Sequence, residues 1–259
     1  MTESLVLYEA KDRIGYITLN RPEKRNALNA EMVTAIKAAF TQAENDEHCK
    51  VIVLQANGEA FCAGADLAYL QQLQNNTYDE NLADSTHLME LFSMIYKGKK
   101  AVIGKIQGHA LAGGCGLATV CDISFSVPEA KFGYTEVKIG FVPAIVKVFL
   151  LRKIGEGKAR ELLLTGKIIS AQEAKDFGLI NFVTSKETID AEVLDFASKL
   201  CTEASGQSIA LVKEMIAEVQ HLSVDEGLNY AARMNAHARA TEDCKRGIQS
   251  FLNKEKLSW

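Results

Sequence analysis

The sequence predicts an α/β body followed by an α-helical C-terminal region. Short apolar runs of strand length alternate with amphipathic segments up to about residue 183, and only helical patterns follow over residues 188–252. This order is typical of a sheet covered by helices, with a helical extension. We therefore divide the chain into residues 1–187, which form the α/β core, and residues 188–259, which form a helical region.

The strand pattern consists of short apolar or alternating runs bounded by polar or glycine-containing turns. The predicted strands are residues 5–8, 14–19, 51–54, 101–106, 123–127, 130–132 and 180–183. The first two are joined by a polar turn over residues 9–13, which predicts a hairpin. The run over residues 51–54 is apolar throughout, as in a sheet covered on both sides.

The helices show apolar residues at helical spacing and recognisable start and stop signals. Those of the body are predicted over residues 30–45, 79–97, 114–121, 157–164 and 171–178. Asn29 caps the first, and Ser170 with Glu173 forms a capping box for the last. The helix over residues 79–97 presents Leu82, Met89, Phe92 and Tyr96 on one face. Breaks near residues 205–206 and 223 divide the C-terminal helices.

The charge balance and the N-terminal residues exclude several classes of protein. Lys and Arg number 29 against 33 Asp and Glu, so no general basic field exists to bind nucleic acid or an anionic membrane. Residues 1–12 contain neither the basic nor the apolar part of a secretory signal, and we expect a cytoplasmic protein. The six cysteines form no CxxC pair and no metal-ligand spacing with the five histidines, so no metal site is predicted.

Two turns rich in small residues each lead into a predicted helix. They lie over residues 57–67 and 105–119. The first turn of a helix has backbone N–H groups without intrahelical partners, and glycine lets a ligand approach them closely. These turns therefore suit an anion or a developing oxyanion. Close packing of helices is the alternative explanation for the glycines, and residues 105–119 taken alone favour it.

One carboxylate, Glu136, stands among mainly apolar neighbours in the connecting segment over residues 133–143. Burial there would raise its pKa towards the range that is useful for proton transfer. A surface or salt-bridged carboxylate is the alternative. We favour catalysis because of the apolar flanks and of the family motif described next.

In combination, these features resemble the crotonase superfamily, the enoyl-CoA hydratase/isomerase family. The resemblance covers nearly the whole chain, and its motifs are specific in combination rather than singly. They are NRPEKRNAL (20–28), FCAGADL (61–67), GHALAGGCGL (108–117), CD (121–122), AKFGYTE (130–136) and FLNKEK (251–256). The resemblance implies a crotonase-type spiral of ββα units, a C-terminal helical region used in homotrimers or dimers of trimers, and acyl-CoA thioester substrates without a metal or redox cofactor.

The resemblance also implies a catalytic set. Matched to the family motif, the oxyanion donors are the backbone N–H groups of Ala65 and Gly113, and Glu136 is the second of two family carboxylates. Gly116 stands where the first carboxylate of many hydratases stands. We expect an enoyl-CoA hydratase in which Glu136 alone activates water and moves the proton. The alternatives are a double-bond isomerase, which needs one shuttling carboxylate, and a non-catalytic CoA- or RNA-binding member.

Substrate binding follows from the same resemblance. The residues implied at the CoA moiety are Lys24, Arg25, Ala27, Ala63, Asp66, Leu67 and, across a subunit boundary, Lys254. Ala68 replaces a lysine that many relatives have. Three features resemble bacterial hydratases of methylglutaconyl-CoA and carboxygeranoyl-CoA: Gly116, residues 63–69, and residues 142–147, which lack the glycine-rich stretch of many members. The first of these substrates belongs to leucine breakdown. Such substrates carry a distal carboxylate, for which Lys147 is a candidate partner, although a solvated lysine is the favoured interpretation.

Overall fold

The computed structural model describes residues 4–259, and within that range it contains nine strands and ten α-helices. The strands are β1 (Val6–Lys11), β2 (Ile14–Leu19), β3 (Val51–Ala56), β4 (Ala101–Ile106), β5 (Ala110–Leu111), β6 (Ile123–Ser126), β7 (Lys131–Gly133), β8 (Ile168–Ser170) and β9 (Phe182–Val183). The helices are α1 (Ala30–Asn45), α2 (Leu67–Leu73), α3 (Tyr78–Lys97), α4 (Gly113–Val120), α5 (Val146–Thr165), α6 (Ala171–Asp176), α7 (Ile189–Glu203), α8 (Gly206–Val219), α9 (Val224–Ala240) and α10 (Glu242–Asn253).

The main sheet has six strands in the order β1-β2-β3-β4-β6-β9. The β1–β2 hairpin is antiparallel and every other neighbouring pair is parallel. In β3 and β4 nearly every residue is buried, so both faces of the sheet are covered. Helix α1 packs on β1 and β2, and α7 contacts β2, β3, β4 and β6.

A second, smaller sheet positions the segments that precede and follow α4. It has the order β5-β7-β8, in which β5 and β7 are parallel and β7 and β8 are antiparallel. The β5–β7 register aligns Ala110 with Phe132 and Leu111 with Gly133. The sequence predicted β7 but neither β5 nor β8, because two or three residues are too few to show a period.

Most predicted elements are present, and the capping signals were accurate. Asn29 caps α1 by accepting a hydrogen bond from the Met32 N–H, and Ser170 and Glu173 form the expected capping box. The predicted turn over residues 9–13 is too long: β1 continues to Lys11, and the hairpin turns at Asp12 and Arg13, which have positive φ.

Three helix predictions were wrong in detail. Helix α3 buries Leu91, Phe92 and Ile95, whereas Leu82 and Met89 of the predicted face are exposed. The helix predicted over residues 157–164 begins at Val146 and is interrupted by Gly155 at φ +75°. The C-terminal region has a further break at Thr241, which caps α10.

The first helix of the C-terminal region, α7, packs against the main sheet. Ile189, Val193 and Ala197 of α7 are buried in the hydrophobic core with residues of the main sheet. The boundary between residues 187 and 188 stays a prediction. Across residues 4–259, none of the helices has both the length and the apolar character needed to cross a membrane.

Candidate active site

The two glycine-containing turns pack directly against each other in front of α4. The Phe61 and Cys62 N–H groups both donate to the His109 carbonyl oxygen, at 3.1 and 3.2 Å, and the Leu111 N–H donates to the Cys62 carbonyl at 3.0 Å. These bonds bring residues 57–67 beside the start of α4. The structure thus joins two segments that are about 50 residues apart in the sequence.

Two of the glycines in this region are required by packing. A Cβ atom on Gly108 would lie 1.8 Å from the Glu59 carbonyl oxygen, and one on Gly114 would lie 2.1 Å from the Cys62 carbonyl oxygen. Neither position has room for a side chain, because backbone atoms cannot give way as a flexible side chain can. The packing explanation of the glycine-rich stretch is therefore confirmed for Gly108 and Gly114.

Gly113 differs from both, because the gap between it and Gly64 would admit a Cβ atom. A Cβ atom on Gly113 would meet only Leu28 Cδ1, at 3.3 Å, and Gly64 Cα, at 3.9 Å. From the opposite side, a Cβ on Gly64 would lie 3.3 Å from the Gly113 nitrogen. Gly64 has φ +93°, a conformation that favours glycine. The peptide that carries the Ala65 N–H thus lies beside the Gly113 N–H.

Both backbone N–H groups are unused hydrogen-bond donors. Within residues 4–259, neither the Ala65 nor the Gly113 N–H donates to a protein acceptor, and both residues are half-buried. The Ala65 strand segment is fixed by its neighbours: the Leu28 N–H donates to the Gly64 carbonyl at 2.7 Å, and the Asp66 N–H donates to the Leu28 carbonyl at 2.8 Å. Two unused donors held by rigid neighbours suit the stabilisation of an oxyanion.

The small sheet places Glu136 close to the same helix terminus. Leu111 is aligned with Gly133, and the Ala112 N–H donates to the Gly133 carbonyl at 2.7 Å. Glu136 follows three residues after Gly133 and opens the 3-10 helix Glu136–Ile139. Ala112 itself has φ +49° and ψ −124°, a strained conformation for a residue with a side chain. The tight turn that begins α4 is thus tied to the segment that carries the carboxylate.

The Glu136 carboxylate is buried without a neutralising partner. The residue is 9% exposed, and within the described chain its Oε2 atom is buried with no hydrogen-bond partner. Burial raises its pKa above the ordinary value of 4.5. A buried carboxylate oxygen without a partner is costly for the fold, so it points to a functional role. The alternative of a surface or salt-bridged carboxylate is wrong.

Six of the seven residues implied at the CoA moiety, all but Lys254, fall on two segments that the structure brings together. The Ala63 N–H donates to the Arg25 carbonyl at 3.0 Å, which adds to the bonds that join Leu28 to Gly64 and Asp66. Exposure differs among these residues. Lys24, Arg25 and Leu67 are exposed, Ala63 and Asp66 are half-buried, and Ala27 is buried at 8% exposure.

Asp66 has a structural task that the sequence only partly revealed. Its carboxylate caps α2 by accepting from the Ala68 and Tyr69 N–H groups, and it lies 3.0 Å from Arg21 Nη1. Arg21 also donates to the Ala27 carbonyl at 3.3 Å. Arg21 was not among the predicted site residues, although its position in the NRPEKRNAL motif was a signal. Lys254 is the exposed left-handed C-cap of α10, and no backbone hydrogen bond within residues 4–259 joins it to the other residues predicted at the CoA moiety.

The cysteines and the histidine near the two turns are not arranged for nucleophilic catalysis. Cys62 and Cys115 are fully buried, and burial raises the pKa of both thiols to about 12. The thiolate form that reacts is therefore scarce at neutral pH. The His109 side chain is exposed rather than packed in the core. Within the described residues, no group of three or more His, Cys, Asp and Glu side chains could hold a metal ion.

Comparison with known proteins decides the family. The sequence profile of the family Enoyl-CoA hydratase/isomerase matches residues 9–259. The chain belongs to this family. A Thermus thermophilus protein named "Putative enoyl-CoA hydratase" is 39% identical over 244 residues, which are 94% of this chain and 96% of that protein. The crotonyl-CoA hydratase of Syntrophomonas wolfei is 32% identical and covers 98% of this chain and 97% of its own length.

Solved structures of the enoyl-CoA hydratase/isomerase family share the fold. The crystal structure of an enoyl-CoA hydratase from Shewanella pealeana superposes with a TM-score of 0.93 at 28% identity, over 98% of this chain and 96% of that one. The enoyl-CoA hydratase of Mycobacterium smegmatis gives a TM-score of 0.91 at 28% identity, over 99% of both chains. The predicted crotonase-type α/β fold with a helical C-terminal region is therefore confirmed.

This family member has no space for a second carboxylate at position 116. A Cβ on Gly116 would lie 2.3 Å from Val146 Cγ1 and 3.0 Å from Phe92 Cε1. Val146 begins α5 and is 4% exposed, and Phe92 of α3 is fully buried. The sequence shows that a glutamate is absent from position 116. It does not show that an apolar side chain from another helix occupies the space beside Gly116.

Proposed function

We propose that this chain is an enoyl-CoA hydratase that adds water across the double bond of a 2-enoyl-CoA thioester. The observation that carries the proposal is the buried Glu136 Oε2 atom without a partner, in a segment bonded to the turn that presents the unused Gly113 N–H. The names of the relatives support the same reaction.

The proposed reaction uses two backbone donors and one carboxylate. The Ala65 and Gly113 N–H groups bind the thioester oxygen, on which negative charge develops as the enolate forms. The Glu136 carboxylate takes a proton from water while the water oxygen bonds to Cβ, and the electrons of the double bond move towards the thioester. Glu136 then gives that proton to Cα. The steps are redox-neutral and require no redox cofactor, and CoA is part of the substrate.

A double-bond isomerase is the second candidate, and the packing around Gly116 favours it. Val146 and Phe92 make the surroundings of Gly116 apolar, so no protein carboxylate assists a water molecule there. In the isomerase reaction, Glu136 would take a proton from C2 of a 3-enoyl-CoA and return it to C4. Such a shuttle needs one carboxylate and no bound water.

For the substrate, we propose 3-methylglutaconyl-CoA of leucine breakdown. Its distal carboxylate needs a cationic or N–H partner. Lys147 is exposed and follows Val146, the residue that packs against Gly116. Its exposure agrees with the favoured interpretation of a solvated lysine, so Lys147→Met tests it as the candidate partner: in that role the change lowers kcat/KM for this substrate and leaves crotonyl-CoA turnover unchanged. Equal effects on both substrates would contradict this role.

We further propose cytoplasmic homotrimers or dimers of trimers, in which Lys24, Arg25 and the partner subunit's Lys254 bind the phosphates of CoA. Ala27, Ala63, Asp66 and Leu67 would complete that site. The net charge of −4 supports the absence of a nucleic-acid partner.

Steady-state turnover on crotonyl-, 3-methylglutaconyl- and a 3-enoyl-CoA, with Glu136→Gln in parallel, tests the function. Hydration that depends on Glu136 would support the hydratase, and preference for methylglutaconyl-CoA would support the substrate. Conversion of the 3-enoyl substrate alone would make this chain an isomerase. Binding of all three thioesters without turnover would identify a non-catalytic member.

A further inference from the structure

A buried pair of hydroxyl groups joins the Glu136 segment to α4. The Tyr134 side chain is fully buried, and its hydroxyl oxygen lies 2.6 Å from Thr119 Oγ1. Thr119 Oγ1 in turn donates to the Cys115 carbonyl oxygen at 2.8 Å. Because a threonine hydroxyl has one proton, Tyr134 is the donor in the bond to Thr119. Burial raises the Tyr134 pKa well above 10, so the hydroxyl keeps this proton.

The hydroxyl pair adds to a first link between the end of β7 and α4. The first is the bond from the Ala112 N–H to the Gly133 carbonyl, just before α4 begins. Thr119 lies six residues after Gly113, about 9 Å further along the helix. Two consecutive residues, Gly133 and Tyr134, are therefore fixed at two separated points of α4.

Glu136 depends on such anchoring because its carboxylate bonds only to its own backbone N–H and to no other residue of the described chain. Its Oε2 atom has no hydrogen-bond partner, so its direction is set by the backbone that carries it. The backbone two residues earlier is held by Tyr134. Since α4 begins with Gly113, the same anchoring fixes the carboxylate relative to the N–H that binds the substrate oxygen.

We infer that Tyr134 and Thr119 are positioning residues that act on the reaction through Glu136. The inference rests on the proposed role of Glu136 as the acid and base. A small displacement of a catalytic group costs up to about 100-fold in rate. Neither hydroxyl is expected to touch the substrate, because Tyr134 is fully buried and Thr119 is 2% exposed.

Tyr134→Phe and Thr119→Val test the inference, since each removes the bond and keeps the side-chain volume. We expect each to lower kcat by roughly 10- to 100-fold with KM changed less than about two-fold, and to displace the acid limb of the pH profile of kcat. Tyr96→Phe is the matched control. The Tyr96 hydroxyl is buried without a partner in residues 4–259, so its removal breaks no bond.

A double-mutant cycle separates positioning from general stability. In Glu136→Gln protein, the residual turnover should not fall further when Tyr134→Phe is added, because the group that Tyr134 positions is already absent. A further fall in the same proportion as in the wild type would overturn the inference. So would wild-type kcat and pH profile in a folded Tyr134→Phe or Thr119→Val variant, the second serving if the first does not fold. Full activity of Glu136→Gln alone would instead overturn the proposed function.

Discussion

At the residue scale, neighbouring glycines in one motif have different tasks. Gly108 and Gly114 are pressed against carbonyl oxygens of residues 59–62, whereas Gly113 borders the gap beside the Ala65 N–H. The sequence shows all three as small residues before or within a helix, so it could not separate packing from ligand binding. What separates them is a contact with a loop about 50 residues away.

This difference gives opposite outcomes for two similar substitutions. Gly113→Ala places a methyl group in the gap between the proposed donors, so we expect kcat/KM to fall by about 100- to 1,000-fold. The free energy of unfolding should change by less than about 1 kcal/mol, because only the flexible Leu28 side chain must shift. Gly114→Ala should cost about 1–3 kcal/mol or more of stability, because the methyl group meets backbone.

Urea unfolding and steady-state kinetics on both glycine variants check this prediction. Full activity of Gly113→Ala, or destabilisation as large as that of Gly114→Ala, would contradict the different tasks of the two glycines.

Glu136 links activity to stability through its raised pKa. A carboxyl group with a higher pKa in the folded than in the unfolded state favours folding at low pH, and this contribution is lost as pH rises through the folded pKa. Glu136→Gln should therefore raise the free energy of unfolding at pH 8 by about 0.5–2 kcal/mol, and the gain should disappear below pH 4. Its kcat should fall by about 100- to 10,000-fold.

The wild-type kcat/KM should rise with pH, because the proton acceptor is the ionised carboxylate. The midpoint of this rise should lie above 4.5, the ordinary glutamate value. Thermal unfolding from pH 4 to 8 and the pH–rate profile are the measurements. A variant less stable than the wild type at pH 8 would show that the Glu136 carboxylate is satisfied in the fold.

At the element scale, α5 holds α4 at two places. Val146 packs against Gly116, and Lys153 Nζ donates to the Thr119 and Cys121 carbonyl oxygens at 2.8 and 2.6 Å. A cation at the C-terminal carbonyls of a helix is favourable. The helix whose N-terminus presents the Gly113 N–H is therefore fixed along its length by a neighbour.

The contact between α4 and α5 predicts energetic coupling. Gly116→Ala should lower the free energy of unfolding by about 1–3 kcal/mol, since its methyl group meets Val146. Val146→Ala makes room, so the double variant should be more stable than the sum of the single effects by about 0.5–3 kcal/mol. Gly157→Ala is the matched control, because a Cβ there meets nothing within 4 Å. Strict additivity of Gly116→Ala and Val146→Ala would contradict the contact.

The features of these elements that depend on local sequence were predicted correctly, whereas those that depend on tertiary contacts were not. Asn29 and Ser170 marked helix starts correctly, because a cap depends on residues within one helical turn. The face of α3 was wrong, because apolar spacing cannot show that no other element covers Leu82 and Met89. For the site, the motif identified Glu136. Val146 was not predicted, because its contact with Gly116 exists only after folding.

At the scale of the whole molecule, the C-terminal helices leave many large apolar side chains exposed. Its exposed members are Val212, Ile216, Val219, Val224, Leu228, Ile248, Phe251 and Leu252. By contrast, the core side chains of α7 are buried against the sheet. Large exposed apolar patches usually mark interaction sites. This distribution supports the proposed use of the C-terminal helices in assembly.

If the C-terminal helices form the contacts between subunits, a charge placed on their exposed apolar side chains should weaken the assembly. Leu228 on α9 is 65% exposed, and replacing it with Glu would bury a charge in an apolar contact between subunits. We expect light scattering after size exclusion to give three or six times 28.4 kDa for the wild type and a smaller mass for Leu228→Glu. The neighbouring Asn229→Glu introduces the same charge at an exposed polar position and should leave the mass unchanged.

A wild-type mass of one chain would refute the assembly, and an unchanged Leu228→Glu mass would place the contact elsewhere. Since none of the residues proposed for the site lies on α9, loss of turnover on dissociation would mean that a neighbouring subunit completes the site, as proposed for Lys254.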